Sequence, residues 1–141
     1  MKGSPYSRSN PVRKIDNITY IKELTGYLCG QSCVAMLAGV SVDEAIKIIG
    51  TDKGTNKQDL KKALDYYGIA YALKSTKYDP NIPLPDLCII QMTVEKPPDI
   101  KYGHWGIYHN GIYYDPEFGV LDKPHSYAKI FQVWEIYGGA K

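Results

Sequence analysis

The chain has 141 residues, 44% hydrophobic and 23% charged, which is typical of one globular domain with one modest core. Its formal net charge is only +2, and Lys and Arg form no concentrated patch, so we expect neither a nucleic-acid nor a membrane partner. No apolar stretch approaches the roughly 20 residues that a membrane-spanning helix needs.

The cysteine count and the N-terminal segment indicate the compartment. Three cysteines are an odd number, unlike the even sets of secreted disulfide scaffolds. Residues 1–14 are polar, contain Gly, Pro and Ser, and lack the apolar core of a secretory signal. We therefore expect a flexible tail over residues 1–14, a single domain over residues 15–141, and a reduced protein in the cytoplasm.

The first half of the chain predicts three helices. Residues 29–39 (CGQSCVAMLAG) predict a short helix that is apolar nearly all round and should therefore be buried. Residues 41–44 (SVDE) form a capping box that begins a second helix, and this helix ends at Gly50. Residues 55–58 (TNKQ) form another capping box, which begins a third helix ending at Gly68.

The second half predicts strands. Residues 69–73 predict a short strand, and residues 87–94 (LCIIQMTV) an apolar central strand covered on both faces. The pair at 110–111, Asn-Gly, is a strong signal for a hairpin turn, and residues 131–137 alternate as a last strand does. Helices followed by antiparallel strands indicate an α+β fold.

The register of this hairpin can be worked out from its turn. A two-residue turn at Asn110–Gly111 places Gly106 opposite Asp115. Because alternate residues of a strand share a face, His104 lies on the same face as Asp115, as its diagonal neighbour. His109 has the opposite parity and points away. The hairpin therefore selects His104 as the partner of Asp115, unless a one-residue bulge reverses the register.

Two thiols lie near the start of the first predicted helix. A helix start favours the thiolate form of a cysteine, so Cys29 is a candidate nucleophile for a base such as His104. Cys33 lies one turn later on the same face, where a small buried apolar role is the simpler interpretation. Zinc bound by Cys29, Cys33 and a histidine is a weak alternative without a second cysteine pair, so we expect no metal.

These segments resemble a known family. Residues 29–36 (CGQSCVAM) resemble the helix-start motif of papain-like cysteine peptidases, above all the branch of bacteriocin-processing (double-glycine leader) peptidases. Residues 104–116 (HWGIYHNGIYYDP) resemble the histidine strand and the Asp-Pro strand of that branch. Short bacterial and phage-encoded relatives are similar through GVSVDEA as well, so that the resemblance covers roughly residues 20–120.

The resemblance implies a papain-like fold, with N-terminal helices packed on a C-terminal antiparallel sheet. Carried over residue by residue, it makes Cys29 the nucleophile, His104 the base and Asp115 the residue that orients the base. It implies a peptide or protein substrate and no cofactor. Papain itself uses the second cysteine of a C-G-S-C run, so Cys33 stays an alternative nucleophile.

The chain departs from the family at one position. Papain-like peptidases commonly have Gln six residues before the nucleophile, where its amide donates to the oxyanion, and here that residue is Glu23. An ionised carboxylate only accepts hydrogen bonds and repels an oxyanion. Activity therefore requires a protonated Glu23, the Gln31 amide or backbone N–H groups as the donor, and is otherwise weak or absent.

Three functions follow as hypotheses. The leading one is a papain-like thiol hydrolase that cleaves a peptide or amide bond. The second is a catalytically silent binding module of the same fold, favoured by Glu23 and by the thirteen tyrosines, a residue type common at interfaces. The third is a deamidase or acyltransferase that uses the same residues, which the sequence does not separate from a hydrolase.

Overall fold

The computed structural model describes residue 15 and residues 17–137, so the tail predicted over residues 1–14 lies outside the described residues. In this part of the chain, helices precede strands. The helices are α1 (Cys29–Ala38), α2 (Val42–Ile49) and α3 (Lys57–Tyr66). The strands are β1 (Thr76–Lys77), β2 (Leu87–Lys96), β3 (Ile100–His109), β4 (Ile112–Asp115), β5 (Gly119–Leu121) and β6 (Ala128–Glu135). The predicted α+β class is confirmed.

Helix α1 is the central helix of the core. All ten of its residues are buried, as its apolar sequence predicted, and it packs against α2, α3 and β3. It ends at Gly39, whose φ of 71° is left-handed and therefore suits glycine. Burial on every side holds the helix start in a fixed position against the sheet.

The predicted start of the third helix was wrong by one residue. The N-cap of α3 is Asn56, whose side chain accepts from the Asp59 N–H, while the Asp59 carboxylate accepts from the Asn56 N–H, both at 2.9 Å. Asn caps a helix as well as Thr does. The side chain of Thr55 instead lies against Gly30 at the start of α1, because the loop before α3 packs there.

The strands form one antiparallel sheet in the order β1-β6-β2-β3-β4-β5. The predicted central strand is β2, which lies between β3 and β6 and is buried along most of its length. The strand predicted over residues 69–73 is wrong, because only Tyr71 bridges to Ile136. The neighbouring β6 edge at Gln132 and Val133 is occupied by β1 instead.

The β3–β4 hairpin has the predicted register. Asn110 and Gly111 have φ values of 48° and 92°, the left-handed pair that a tight hairpin turn needs. His109 pairs with Ile112, and no bulge interrupts the ladder as far as Ile107. Continuing this register places Gly106 opposite Asp115, as predicted.

Two apolar clusters cover the two sides of the sheet. The larger one joins the helices to the sheet and contains the buried Trp134, whose ring contacts that of Tyr71 at a centroid distance of 5.3 Å. The smaller one includes Cys88 and Met92 of β2. None of the described helices is long and apolar enough to cross a membrane.

Close packing at the start of α1 gives a first prediction. A Cβ on Gly30 would lie 2.0 Å from Thr55 Oγ1 and 3.2 Å from Leu60 Cδ2. We expect Gly30→Ala to lower the free energy of unfolding by about 1–3 kcal/mol, because the loop before α3 must move away. Urea denaturation measures this loss.

Two controls test the cause. Thr55→Ala removes the closest atom, so Gly30→Ala should destabilise less in that background. Gly54→Ala adds a Cβ with nothing within 4 Å, and should change stability by no more than about 0.5 kcal/mol. An equal loss for Gly30→Ala with and without Thr55 would contradict the steric explanation.

Candidate active site

Cys29 is the first residue of α1 and faces a cleft. The N-cap residue is Leu28, which has no side-chain hydrogen bond to offer, and the Ser32 N–H makes the first helical bond, to the Leu28 carbonyl at 2.9 Å. The N–H groups of the first turn are therefore without intrahelical partners. Cys29 is 8% exposed, so that its thiol lies at the boundary between core and cleft.

His104 and Asp115 form a buried pair. The two atoms His104 Nε2 and Asp115 Oδ1 lie 2.7 Å apart, and both side chains are at most 5% exposed. The same carboxylate oxygen accepts from the backbone N–H groups of Glu117 at 2.9 Å and Phe118 at 3.1 Å. The carboxylate is thus held by the turn after β4, and it in turn holds the imidazole ring.

The Cys29 thiol lies beside the imidazole, with Sγ within 4.8 Å of a ring nitrogen. Because Asp115 occupies Nε2, Nδ1 is the ring nitrogen left for the Cys29 thiol. Burial disfavours the charged ring, but hydrogen bonds to Asp115 and Cys29, together with their negative charges, outweigh it and raise the pKa of His104 to about 10. The imidazolium form is therefore favoured at neutral pH.

Cys33 lies outside the cleft. It is fully buried and, like Cys29 and Cys88, a free thiol. Burial raises the pKa of Cys33 well above its ordinary value, and the negative charges of Cys29, Asp115 and Glu23 add to the effect. A neutral thiol without access to solvent is poorly suited to attack a substrate.

Gln31 supports a loop. Its amide Nε2 donates to the carbonyls of Thr51 at 2.8 Å and Lys53 at 2.9 Å, and the side chain is fully buried. Both amide hydrogens are used, so Gln31 does not supply the oxyanion donor that the sequence left open. It fixes the segment before α3, which forms one wall of the cleft.

Glu23 lies beside the thiol. Its backbone N–H donates to the Pro116 carbonyl at 2.9 Å, which ties the segment before α1 to the end of β4. Its side-chain Oε1 is buried and has no hydrogen-bond partner among the described residues. The carboxyl group is therefore held near Cys29 and His104, and its Oε1 has no donor that would stabilise a negative charge.

The charge state of Glu23 follows from this position. Burial raises its pKa to about 7, the positive charges of His104 and Lys22 oppose the shift, and the negative charges of Glu117 and Asp115 add to it. Near neutral pH, a large fraction of this carboxyl group is protonated.

One group of three side chains converges closely enough to hold a metal ion within the described part of the chain. The Glu23 carboxylate, Cys29 Sγ and a His104 ring nitrogen all lie within 4.8 Å of one another. Cys33 is not a member, so the zinc ligand set considered from the sequence is not brought together. A metal ion bound there would stand between Cys29 Sγ and the His104 ring, and would therefore break the direct interaction between the thiol and the base.

These contacts are those of a thiol, an oriented base and a nearby carboxyl group. The chain matches no family model and no curated protein. The chemistry of the site is therefore inferred from its own geometry.

The cleft has a volume of about 650 Å³ and combines backbone with aromatic and charged side chains. Its lining consists of Glu23, Gly26, Tyr27, Cys29, Gly54, Thr55, Lys96, Tyr102, Gly103, Trp105 and Glu117. At Gly26, Gly54 and Gly103 a Cβ would meet nothing within 4 Å, so each leaves open space beside the backbone. Such a surface can accommodate an extended chain.

The sequence did not identify two parts of the cleft. Trp105 Nε1 donates to the Thr55 carbonyl at 3.4 Å and joins β3 to the loop before α3. Glu117 accepts from Tyr102 Oη at 2.6 Å and pairs with Lys96. Trp105 follows His104 directly, and Glu117 lies two residues after Asp115. These positions in the sequence were the signal that could have identified both residues.

Proposed function

We propose that this protein is a papain-like thiol hydrolase that cleaves a peptide or amide bond. The observation that carries the proposal is the continuous arrangement of Cys29, His104 and Asp115 at an open cleft. A thiol, an imidazole and a carboxylate in this order are the parts of a covalent acyl-transfer mechanism.

The reaction begins with the thiol. Cys29 Sγ attacks the carbonyl carbon of the substrate with its proton already held by His104, whose imidazolium form is favoured, and a tetrahedral intermediate with a negative oxygen forms. The C–N bond then breaks as His104 returns the proton to the leaving amine, which leaves a thioester on Cys29. His104 next removes a proton from water, the resulting hydroxide attacks the thioester, and the acid departs while the thiol is restored.

Asp115 holds the His104 ring in the tautomer and orientation that each step requires. By accepting from Nε2, it fixes the tautomer and directs Nδ1 towards Cys29. Its negative charge stabilises the imidazolium of the resting site and the imidazolium that forms again when water attacks the thioester. Cys33 is the less suitable nucleophile because its buried thiol stays neutral.

Alkylation of the native protein with iodoacetamide, resolved by site with mass spectrometry from pH 5 to 9, tests the proposal. We expect Cys29 to react rapidly at pH 6, where an ordinary thiol with a pKa of about 8.5 is almost wholly protonated. His104→Ala should remove this reactivity, since the imidazolium partner is lost.

The matched control is Cys33→Ala, which removes the other helix thiol and should leave the labelling of Cys29 unchanged. Rapid labelling of Cys33 would move the nucleophile by one helical turn. If neither cysteine reacts before the pH nears 8.5, the hydrolase proposal fails.

That last outcome would favour a catalytically silent binding module. The observation behind this second candidate is Glu23, whose ionised form would repel an oxyanion beside Cys29. A deamidase or acyltransferase would pass through the same thioester, with ammonia as the leaving group or an amine as the acceptor. Product analysis of a confirmed substrate distinguishes these two from a hydrolase.

A further inference from the structure

We infer that Glu23 is a further catalytic residue, whose neutral carboxyl group donates its O–H to the oxyanion formed when Cys29 attacks a carbonyl. The inference rests on the proposed function, since it requires Cys29 to be the nucleophile. Only the neutral carboxylic acid has an O–H group to donate, since an ionised carboxylate can only accept hydrogen bonds.

The position of Glu23 suits this donor. A carboxylate oxygen lies within 4.8 Å of Cys29 Sγ, and Glu23 lines the same cleft. An effective donor lies about 2.7–3.1 Å from the position of the oxyanion, which is bonded to the carbon that Sγ attacks. A substrate oxygen can therefore lie between the thiol and the carboxyl group.

The buried oxygen of Glu23 supports the assignment. Oε1 has no hydrogen-bond partner among the described residues, although burying an unpaired polar atom costs free energy. The unpaired buried oxygen therefore disfavours the ionised carboxylate, and the carboxyl group, which lines the cleft, keeps a proton that it can donate to an oxyanion there. The backbone N–H of Cys29, at the uncapped start of α1, is available as a second donor.

The surroundings of Glu23 determine the pH range of this donor. Five charged groups face Glu23 or share its cleft. They are Lys22 of its own segment, Lys96 of β2, His104 of β3, Asp115 of β4 and Glu117 of the turn after β4. The other titratable groups near it are Tyr20, Cys29, Cys33 and Tyr102.

Lys96 is engaged with Glu117, so the cleft offers Glu23 no unpaired lysine from β2. Burial and the two acidic neighbours keep the proton on the carboxyl group up to a pH of about 7. Above that pH, Glu23 loses its proton, and its negative charge repels the oxyanion that the neutral carboxyl group stabilised.

In this role, Glu23 donates a hydrogen bond and keeps its proton. The O–H hydrogen bond shortens as the carbonyl oxygen gains charge, and relaxes when the tetrahedral intermediate collapses and the C–N bond breaks. The proton that reaches the leaving amine comes from His104, so the carboxyl group is unchanged at the end of the cycle.

Two reagents that modify Cys29 distinguish hydrogen-bond donation by Glu23 from the reactivity of the thiol itself. Acylation of Cys29 by p-nitrophenyl acetate forms an oxyanion, then S-acetyl-Cys29 and nitrophenol. Alkylation by iodoacetamide displaces iodide from a saturated carbon and forms none. The ratio of the two rate constants, measured from pH 6 to 8.5, therefore reports oxyanion stabilisation independently of the thiolate fraction.

In the unmodified protein, we expect the ratio to fall about thirty-fold from pH 6 to pH 8.5, as the neutral carboxyl group is lost. Glu23→Gln, which keeps a neutral donor, should give a ratio that is nearly independent of pH. Glu23→Ala should lower the ratio at pH 6 by about 10²–10³ and also remove its pH dependence. Glu95→Gln, at an exposed carboxylate of β2, should behave as the unmodified protein does.

A flat ratio in the unmodified protein, with Cys29 reactive towards both probes, would overturn the role of Glu23 and leave the proposed hydrolase intact. A Cys29 that reacts with neither probe faster than an ordinary thiol would overturn both. Circular dichroism of each variant confirms that the fold is retained before rates are compared.

Discussion

Asp115→Ala is expected to lower the acylation rate of Cys29 by about 10², because the imidazole loses the group that orients it and stabilises its charge. The same change should lower the free energy of unfolding by about 3–5 kcal/mol, since it removes one partner of a buried ion pair. The N–H groups of Glu117 and Phe118 also lose their acceptor. Acylation kinetics and urea denaturation measure the two effects.

Asp115→Asn is the matched control. The Asn side chain keeps an acceptor oxygen for the turn after β4 but carries no charge. We expect much of the lost stability to return, while the pKa of His104 falls towards its ordinary value because the neighbouring charge is gone. A His104 titration by NMR that is identical in the unmodified protein and in Asp115→Asn would contradict the role assigned to Asp115.

The pH dependence of this stabilisation has a definite sign. The pKa of His104 is raised in the folded protein from 6.5 to about 10, so the folded state binds its proton more tightly than the unfolded chain does. The resulting contribution to stability is complete below about pH 6.5 and is lost as the pH rises through about 10. The stability difference between the unmodified protein and Asp115→Asn should therefore shrink across that range.

The sequence was most informative where local geometry is rigid. The Asn110–Gly111 turn allows one register, and that register alone brought His104 rather than His109 to Asp115. The burial of α1 likewise followed from a helix with no polar face. In both cases, the property depends on neighbours a few residues away in the chain.

The sequence was less informative where contacts between distant segments decide. Thr55 has the pattern of an N-cap, but its side chain lies against Gly30, so Asn56 caps the helix instead. The Gln31 amide could not be placed, because its acceptors are carbonyls twenty or more residues away. Such contacts depend on how the loop before α3 packs on α1, which no local pattern states.

Glu23 is the clearest case of information that only packing supplies. The sequence identified the position and the chemical difficulty of a carboxylate there. Whether the group carries a proton depends on its burial and on the charges of Asp115 and Glu117, which the β4 turn brings beside it. A feature that argues against activity in the sequence becomes compatible with activity once this environment is considered.

Glu23→Gln should stabilise the folded protein at neutral and higher pH, and this gain does not depend on any substrate. The pKa of Glu23 is raised from 4.5 to about 7, so between these values the unfolded chain loses the proton before the folded protein does. Stability therefore falls as the pH rises from 4.5 to about 7, and a neutral Gln avoids that loss.

We expect Glu23→Gln to raise the free energy of unfolding by about 1–2 kcal/mol at pH 8, less than the full shift implies, because solvent screens a half-buried group. At pH 4 the two proteins should be equally stable, since Glu23 is then neutral in both states. Urea denaturation at both pH values measures the gain, with Glu95→Gln as an exposed control expected to show none. A Glu23→Gln variant that is less stable at pH 8 would mean that the native protein contains an ionised, favourably paired Glu23, and the oxyanion donor would then have to be a backbone N–H at the start of α1.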